Sequence, residues 1–388
     1  MTSSKNIFKI FLGIFLVFSV TALAQDVSLD NQRYRYIVIR SSSGVHAYSG
    51  NQELKSLMKS GYGAFEVRKG WQTTDKEAWA KYYGYPSYGI GISSGFLGDP
   101  ETFGMPGAVF GFISFPLTDD RKRNIFSIEP SLGLTYNLMP YHAEKNAAND
   151  AIGAKMAVYA SFRFGFNYKV NREIDFEYAL EFTHFSNGRS FMPNKGLDMI
   201  GLQLGMKYNY NADQGKANAD LYSNANLLPV RYLRSKKETN YKEENPHSIN
   251  VYAALSSVQT DKTKGTKTRY FVFTGLAEYQ YKINNAHGLT AGLDYFYDGS
   301  LKEEFPNNPN KTRHLAAHAG YDFMFYRFTI LAHFGAYLQP NPTKPFYFLR
   351  PALRYDLGKR TYLQLGLKTN GFRADWVEFG VGFRPFRW

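Results

Sequence analysis

Residues 173–186 run EIDFEYALEFTHFS. The even positions Ile174, Phe176, Tyr178, Leu180 and Phe182 are apolar or aromatic, while Glu173, Asp175, Glu177, Glu181 and Thr183 occupy odd positions. A period of two is the signature of a β-strand with two unlike faces. Carboxylates opposite a continuous aromatic face suit a membrane β-barrel, apolar outside and polar inside. The same inversion recurs along the chain. In 361–369, Leu363, Leu365 and Leu367 oppose Gln364 and Lys368; in 346–357, Tyr347, Leu349, Leu353 and Tyr355 oppose Arg350 and Arg354. In 269–281, Phe271, Phe273, Tyr279 and Tyr281 oppose Thr274, Glu278 and Gln280. A soluble β-sandwich would alternate too, but it would rarely need so many long strands with a charged face.

The bulk numbers agree. The 388-residue chain has 17% aromatics, with 30 Tyr and 32 Phe, and its mean hydropathy of −0.39 hides the alternation. It has no Cys, which excludes a disulfide framework and thiol chemistry. Beyond residue 24, no apolar run approaches the roughly 18 residues of a spanning helix. At the N-terminus, Lys5 and Lys9 precede the apolar run 10–20, and Ala22-Leu23-Ala24 forms a small-residue cleavage site. This predicts a secretory signal over 1–24 with Gln25 as the mature N-terminus. The net charge of +13 fits anionic lipid phosphates, or simply solvated loops, better than nucleic acid in a secreted barrel.

Short connections near 170–172, 284–286 and 358–360 alternate with longer ones near 137–153, 188–197, 260–267, 300–311 and 340–344. Short turns at one rim and long loops at the other are the barrel pattern. The expectation is an all-β, antiparallel transmembrane β-barrel of about 14 strands (12–16) over 61–388. An N-terminal segment, 25–60, precedes it with one strand over 34–40, and a polar insert lies at about 211–247. A short helix is expected over 75–83. The terminal Trp388 resembles a barrel assembly signal, although Pro385 interrupts the alternation.

The even face of the first stretch continues into His184 and Ser186. In the next strand, Asp198 begins the even face that runs on through Ile200, Leu202, Leu204 and Met206. Three polar groups thus meet at the rim of an apolar exterior. Polar groups facing lipid are costly, so function is the first hypothesis; a solvated rim and an ordinary strand start are the bland alternative. Ser is a poor nucleophile without a base to take its proton. His184 lies two residues away, roughly 7 Å along the strand, close enough for leaning side chains to meet. An acid on the other imidazole nitrogen would fix the tautomer. The Asn187 side chain and the Gly188 N–H are local donors for an oxyanion.

The string His184-Phe185-Ser186-Asn187-Gly188, with Pro193-Asn194-Lys195-Gly196-Leu197-Asp198, resembles the lipid A 3-O-deacylase (PagL) family. The resemblance implies His184 as base, Ser186 as nucleophile, Asp198 as the acid twelve residues on, and Asn187 with its neighbourhood as the oxyanion hole. The family usually has Glu where Asp198 stands. Its known members are small eight-stranded barrels, and this chain is about twice as long. The string is similar also to outer-membrane phospholipase A, whose H-x-S-N-G-R motif includes an arginine matched by Arg189. That family has Asn as third member and uses calcium in a dimer.

The expected function is an outer-membrane serine esterase that removes an ester-linked acyl chain from lipid A in the outer leaflet. It would need no cofactor, with calcium only under the phospholipase alternative; a porin or transport barrel is the non-catalytic alternative. The protein would be membrane-embedded, a monomer or homodimer, with no nucleic-acid partner. Arg189 and Lys195 are candidates to hold lipid A phosphates. Lys262, Lys264 and Lys267 are candidates for the same role, and most of these charges read more simply as solvated loop charges. His314 and His318 share a face but stand roughly 13 Å apart along the strand, too far to share one metal. His46, His142, His247, His287 and His333 have no companion, and Trp71 and Trp79 read as interface or plug aromatics.

Overall fold

The computed structural model describes residues 34–48, 50–74, 77–119, 122–171, 173–210, 245–339, 344–371 and 373–388. The expected signal segment and nearly all of the polar insert lie outside the described residues. Sixteen strands follow one another: β1 (Arg35–His46), β2 (Tyr62–Gln72), β3 (Ser87–Phe96), β4 (Gly104–Pro116), β5 (Asn124–Leu138), β6 (Val158–Lys169), β7 (Ile174–Ser186), β8 (Leu197–Tyr210), β9 (His247–Val258), β10 (Tyr270–Lys282), β11 (His287–Asp298), β12 (Arg313–Phe325), β13 (Phe328–Tyr337), β14 (Tyr347–Asp356), β15 (Thr361–Asn370) and β16 (Arg373–Arg387).

Within β1–β8 and within β9–β16 each strand pairs antiparallel with the next, and two further pairings close two rings. β8 returns to β1, with Ile39 opposite Met206, and β16 returns to β9, with Ala254 opposite Gly380. The all-β barrel reading therefore holds, but sixteen strands form two closed barrels of eight rather than one of about fourteen. The alternation marks each strand locally, whereas ring closure is a pairing between strands far apart in sequence. β1 belongs to the first barrel, between β2 and β8. Its Ser41-Ser42-Ser43-Gly44 run resembles a loop, and small residues there face a crowded lumen. Of the helix expected over 75–83, the structure shows a 3-10 turn, Ala80–Tyr83, while 75 and 76 lie outside the described residues. Among the described residues, no helix is long and apolar enough to cross a membrane.

The inverted alternation is visible in both barrels. Leu180, Leu202, Leu204 and Met206 on the first, and Leu255, Leu293, Phe334, Phe379 and Val381 on the second, are exposed on the outer surface. The lumens hold charge. In the first, Arg40 binds Glu129 and Glu177, both at 2.6 Å, and Arg68 binds Glu129 and Glu66, all nearly fully buried. In the second, Arg350 meets Asp294 at 2.7 Å and Glu378 at 3.1 Å, and Arg354 meets Glu278 at 2.7 Å. An eight-stranded barrel is just wide enough for side chains to fill. Buried charges must be paired, which explains why each arginine is answered by carboxylates.

Candidate active site

β7 and β8 place the candidate residues. His184 and Asp198 are direct cross-strand partners, as are Phe182 with Ile200 and Leu180 with Leu202 below them. His184 Nδ1 lies 2.6 Å from Asp198 Oδ1, with both side chains about one-third exposed. An ionised carboxylate can only accept, so this contact puts the proton on Nδ1 and the lone pair on Nε2. Beneath the pair runs the apolar outer face of Phe182, Leu180, Ile200 and Leu202.

Ser186 ends β7 and is buried under the connection to β8. Its Oγ accepts from Asn194 Nδ2 at 3.0 Å and from the Gly188 N–H at 3.3 Å, and lies 3.3 Å from Asn194 Oδ1. Asn194 Oδ1 also accepts from the Asn187 N–H at 3.0 Å. Ser186 is therefore held by Asn194 and Gly188 rather than by His184, and a turn of its hydroxyl toward Nε2 is needed for proton transfer. Apo sites commonly show catalytic hydrogen bonds that tighten only with substrate. The Asn187 Nδ2 amide is buried with no hydrogen-bond partner. A buried donor without a partner costs free energy and is a group awaiting an acceptor.

Gly196 lets the connection cross the imidazole. Its φ is +78°, and a Cβ there would stand 2.9 Å from His184 Cε1. The left-handed conformation and the contact both require glycine.

Arg189 and Lys195 are each paired with carboxylates. Lys195 is more than half exposed and pairs with Asp150 at 2.6 Å. Arg189 reaches into the rim of the second barrel, 3.3 Å from Asp298 and 3.2 Å from Asp375. Burial alone would lower its pKa, but the Asp375 and Asp298 carboxylates outweigh this and hold it above its usual value. Those two acids also bind Lys344, and Asp375 binds Lys368. The Arg189 carbonyl accepts from the Gln259 N–H at 2.9 Å, Gln259 Oε1 accepts from the Met192 N–H at 2.8 Å, and the Arg269 guanidinium sits 3.7 Å over the Phe191 ring. The connection carrying the oxyanion candidates is thus docked on the other barrel. Sequence reasoning missed this docking and the part played by Asn194; the only trace of the latter was its place inside the motif string.

Two family models match the chain. One, described as lipid A 3-O-deacylase (PagL), matches residues 64–207; the other, described as acyloxyacyl hydrolase, C-terminal domain, matches 247–388. None of the curated proteins matches the chain in sequence. Among solved structures, Neisserial surface protein A is similar at 8% identity over 46% of this chain and 97% of its own, with a TM-score of 0.31. A mutant porin of Rh. blastica is similar at 8% identity over 91% of this chain and 99% of its own, with a TM-score of 0.17. The first family model spans His184, Ser186 and Asp198, and the second spans the barrel on which their connecting loop is docked. On these matches the chain belongs to the lipid A 3-O-deacylase (PagL) family.

Proposed function

We propose that the protein is an outer-membrane serine esterase that removes an ester-linked acyl chain from lipid A. The observation that carries this reading is the 2.6 Å His184–Asp198 contact, set on an apolar outer face beside a buried serine ringed by amide donors. An acyl chain lies along Leu180, Phe182, Ile200 and Leu202, bringing its ester to the rim. Ser186 Oγ attacks the carbonyl carbon while His184 Nε2 takes its proton. Asp198 stabilises the imidazolium. Asn187 Nδ2 and the Gly188 N–H donate to the oxyanion. The imidazolium returns its proton to the departing sugar oxygen, and water, deprotonated by the same nitrogen, releases the fatty acid. None of these steps calls on a metal.

Membrane embedding is supported by the apolar belts of both barrels, since a soluble monomer rarely exposes large contiguous apolar patches. The filled lumens argue against a diffusion pore. The test compares lipid profiles by mass spectrometry in outer membranes carrying equal amounts of wild type and Ser186→Ala. Loss of a hydroxyacyl group from lipid A with the wild type alone is expected. Lysophospholipid in its place would move the substrate to phospholipid, and unchanged profiles for both lipids would overturn the esterase reading.

A further inference from the structure

Halfway down the lumen of the second barrel, four side chains converge that play no part in the esterase chemistry. Glu278 comes from β10, His318 and Asp322 from β12 and His333 from β13, all buried. One ligand atom from each of Glu278, His318 and His333 lies within 4.8 Å of the others. His318 Nε2 stands 3.4 Å from Glu278 Oε2; His333 Nε2 stands 3.9 Å from the same oxygen and 4.0 Å from Asp322 Oδ1. Glu278 Oε2, His318 Nε2 and Asp322 Oδ1 make no hydrogen bond, and His333 Nε2 has only a 3.3 Å contact with Thr290 Oγ1. Such groups face one another in a lumen only where a cation, a proton or a water joins them or where they remain unpaired at a cost.

The far sides of three of these groups are already held. His318 Nδ1 is 2.7 Å from Asp294 Oδ2, which places a proton on Nδ1 and directs Nε2 inward. Glu278 Oε1 accepts from Arg354 at 2.7 Å and from Asn250 at 2.9 Å, and Asp322 Oδ2 accepts from Gln280. A carboxylate behind a histidine, with the other nitrogen directed inward, is how proteins orient metal ligands. The inward nitrogen faces the Glu278 oxygen at 3.4 Å, where a proton or a shared cation must sit. Among the described residues, the carboxyl groups of Glu278, Asp294 and Glu378 pair with the guanidiniums of Arg350 and Arg354, and Glu278, Asp294 and Asp322 also face His318 or His333. Room for the His333 ring comes from Gly320, where a Cβ would stand 2.3 Å from His333 Cδ2.

We propose that Glu278, His318 and His333 form a divalent transition-metal site, fitted to zinc, that cross-braces β10, β12 and β13 inside the second barrel. Two imidazole nitrogens and a carboxylate oxygen are a zinc donor set, and tetrahedral ligands at about 2.0–2.1 Å stand roughly 3.4 Å apart. The two imidazole nitrogens stand 3.4 and 3.9 Å from Glu278 Oε2, near that spacing. Asp322, 4.0 Å from His333 Nε2, flanks the three ligands.

The test uses the full chain in detergent, stripped with chelator and dialysed against zinc or cobalt. About one equivalent of zinc per chain is expected by elemental mass spectrometry, with the visible absorption of tetrahedral cobalt and a higher unfolding temperature of the loaded form. The double variant His318→Ala/His333→Ala should lose the bound metal. Should that variant fail to fold, Asp294→Asn, which keeps all three ligands but removes the histidine's support, should bind about 10–100-fold more weakly. A wild type without stoichiometric metal, an unfolding temperature indifferent to zinc, or binding unchanged in either variant would overturn the site. None of these readouts depends on esterase activity.

Discussion

The imidazole of His184 can serve as a base only through Nε2, because Asp198 holds Nδ1 at 2.6 Å. Replacing Asp198 with Asn lets the ring adopt the wrong tautomer without changing its seat. The expected result is a fall in kcat of about 10⁴-fold with the barrel intact, read from single-turnover deacylation beside the gel mobility of the folded form. Asn187→Ala removes the unpartnered amide and should lower kcat about 10²–10³-fold with little change in KM, as loss of one oxyanion donor does. A raised KM with kcat unchanged would assign Asn187 to ground-state binding instead. The motif residues were legible in sequence because face and spacing both come from a strand's period of two. Asn194 was not, since a loop amide reaches Ser186 across eight residues of irregular backbone that has no period to read.

Each strand has an outer face that is apolar and a lumenal face that pairs charge with charge, and the two faces fail differently. In the first barrel Arg40 spans Glu129 and Glu177. Arg40→Ala leaves Glu177 buried without its paired guanidinium and Glu129 with Arg68 alone, and should destabilise the barrel by about 3–5 kcal/mol. On the outer face, Leu202→Arg should cost about 2–4 kcal/mol if that position lies near the middle of a bilayer. Urea unfolding in lipid vesicles measures both; a neutral Leu202→Arg would contradict the membrane placement of that face. These faces were written in the alternation of 173–186 and its counterparts. The strand β1 was harder to see, because its small residues blur the pattern where the lumen is crowded. His333 was likewise set aside as lacking a companion, since its partners lie on other strands.

Two barrels in one chain meet at both ends. At the site end, Arg189 joins the loop after β7 to Asp298 and Asp375. At the other end, Trp79 and Tyr83 pack on Phe325, with ring centroids 5.5 and 4.6 Å apart, and the Tyr83 hydroxyl donates to the Ala286 carbonyl. The second barrel thus holds the backbone that carries Asn187 and Gly188. Arg189→Ala should lower kcat more than it raises KM, because it loosens the oxyanion donors without removing a substrate contact. Arg189→Lys should restore only part of the rate, since one ammonium cannot reproduce a fork shared between two acids. A change confined to KM would return Arg189 to substrate binding. By itself the sequence determined that the chain is all-β, that its strands are apolar outside and charged inside, and that His184, Ser186 and Asp198 share one rim, because these follow from local periodicity and short spacing. Only the tertiary structure decided that the strands close as two rings of eight, that Arg189 faces a second barrel, and that Glu278, His318, Asp322 and His333 meet. Ring closure and lumenal contacts join residues that are distant along the chain, and no local pattern encodes which of them become neighbours.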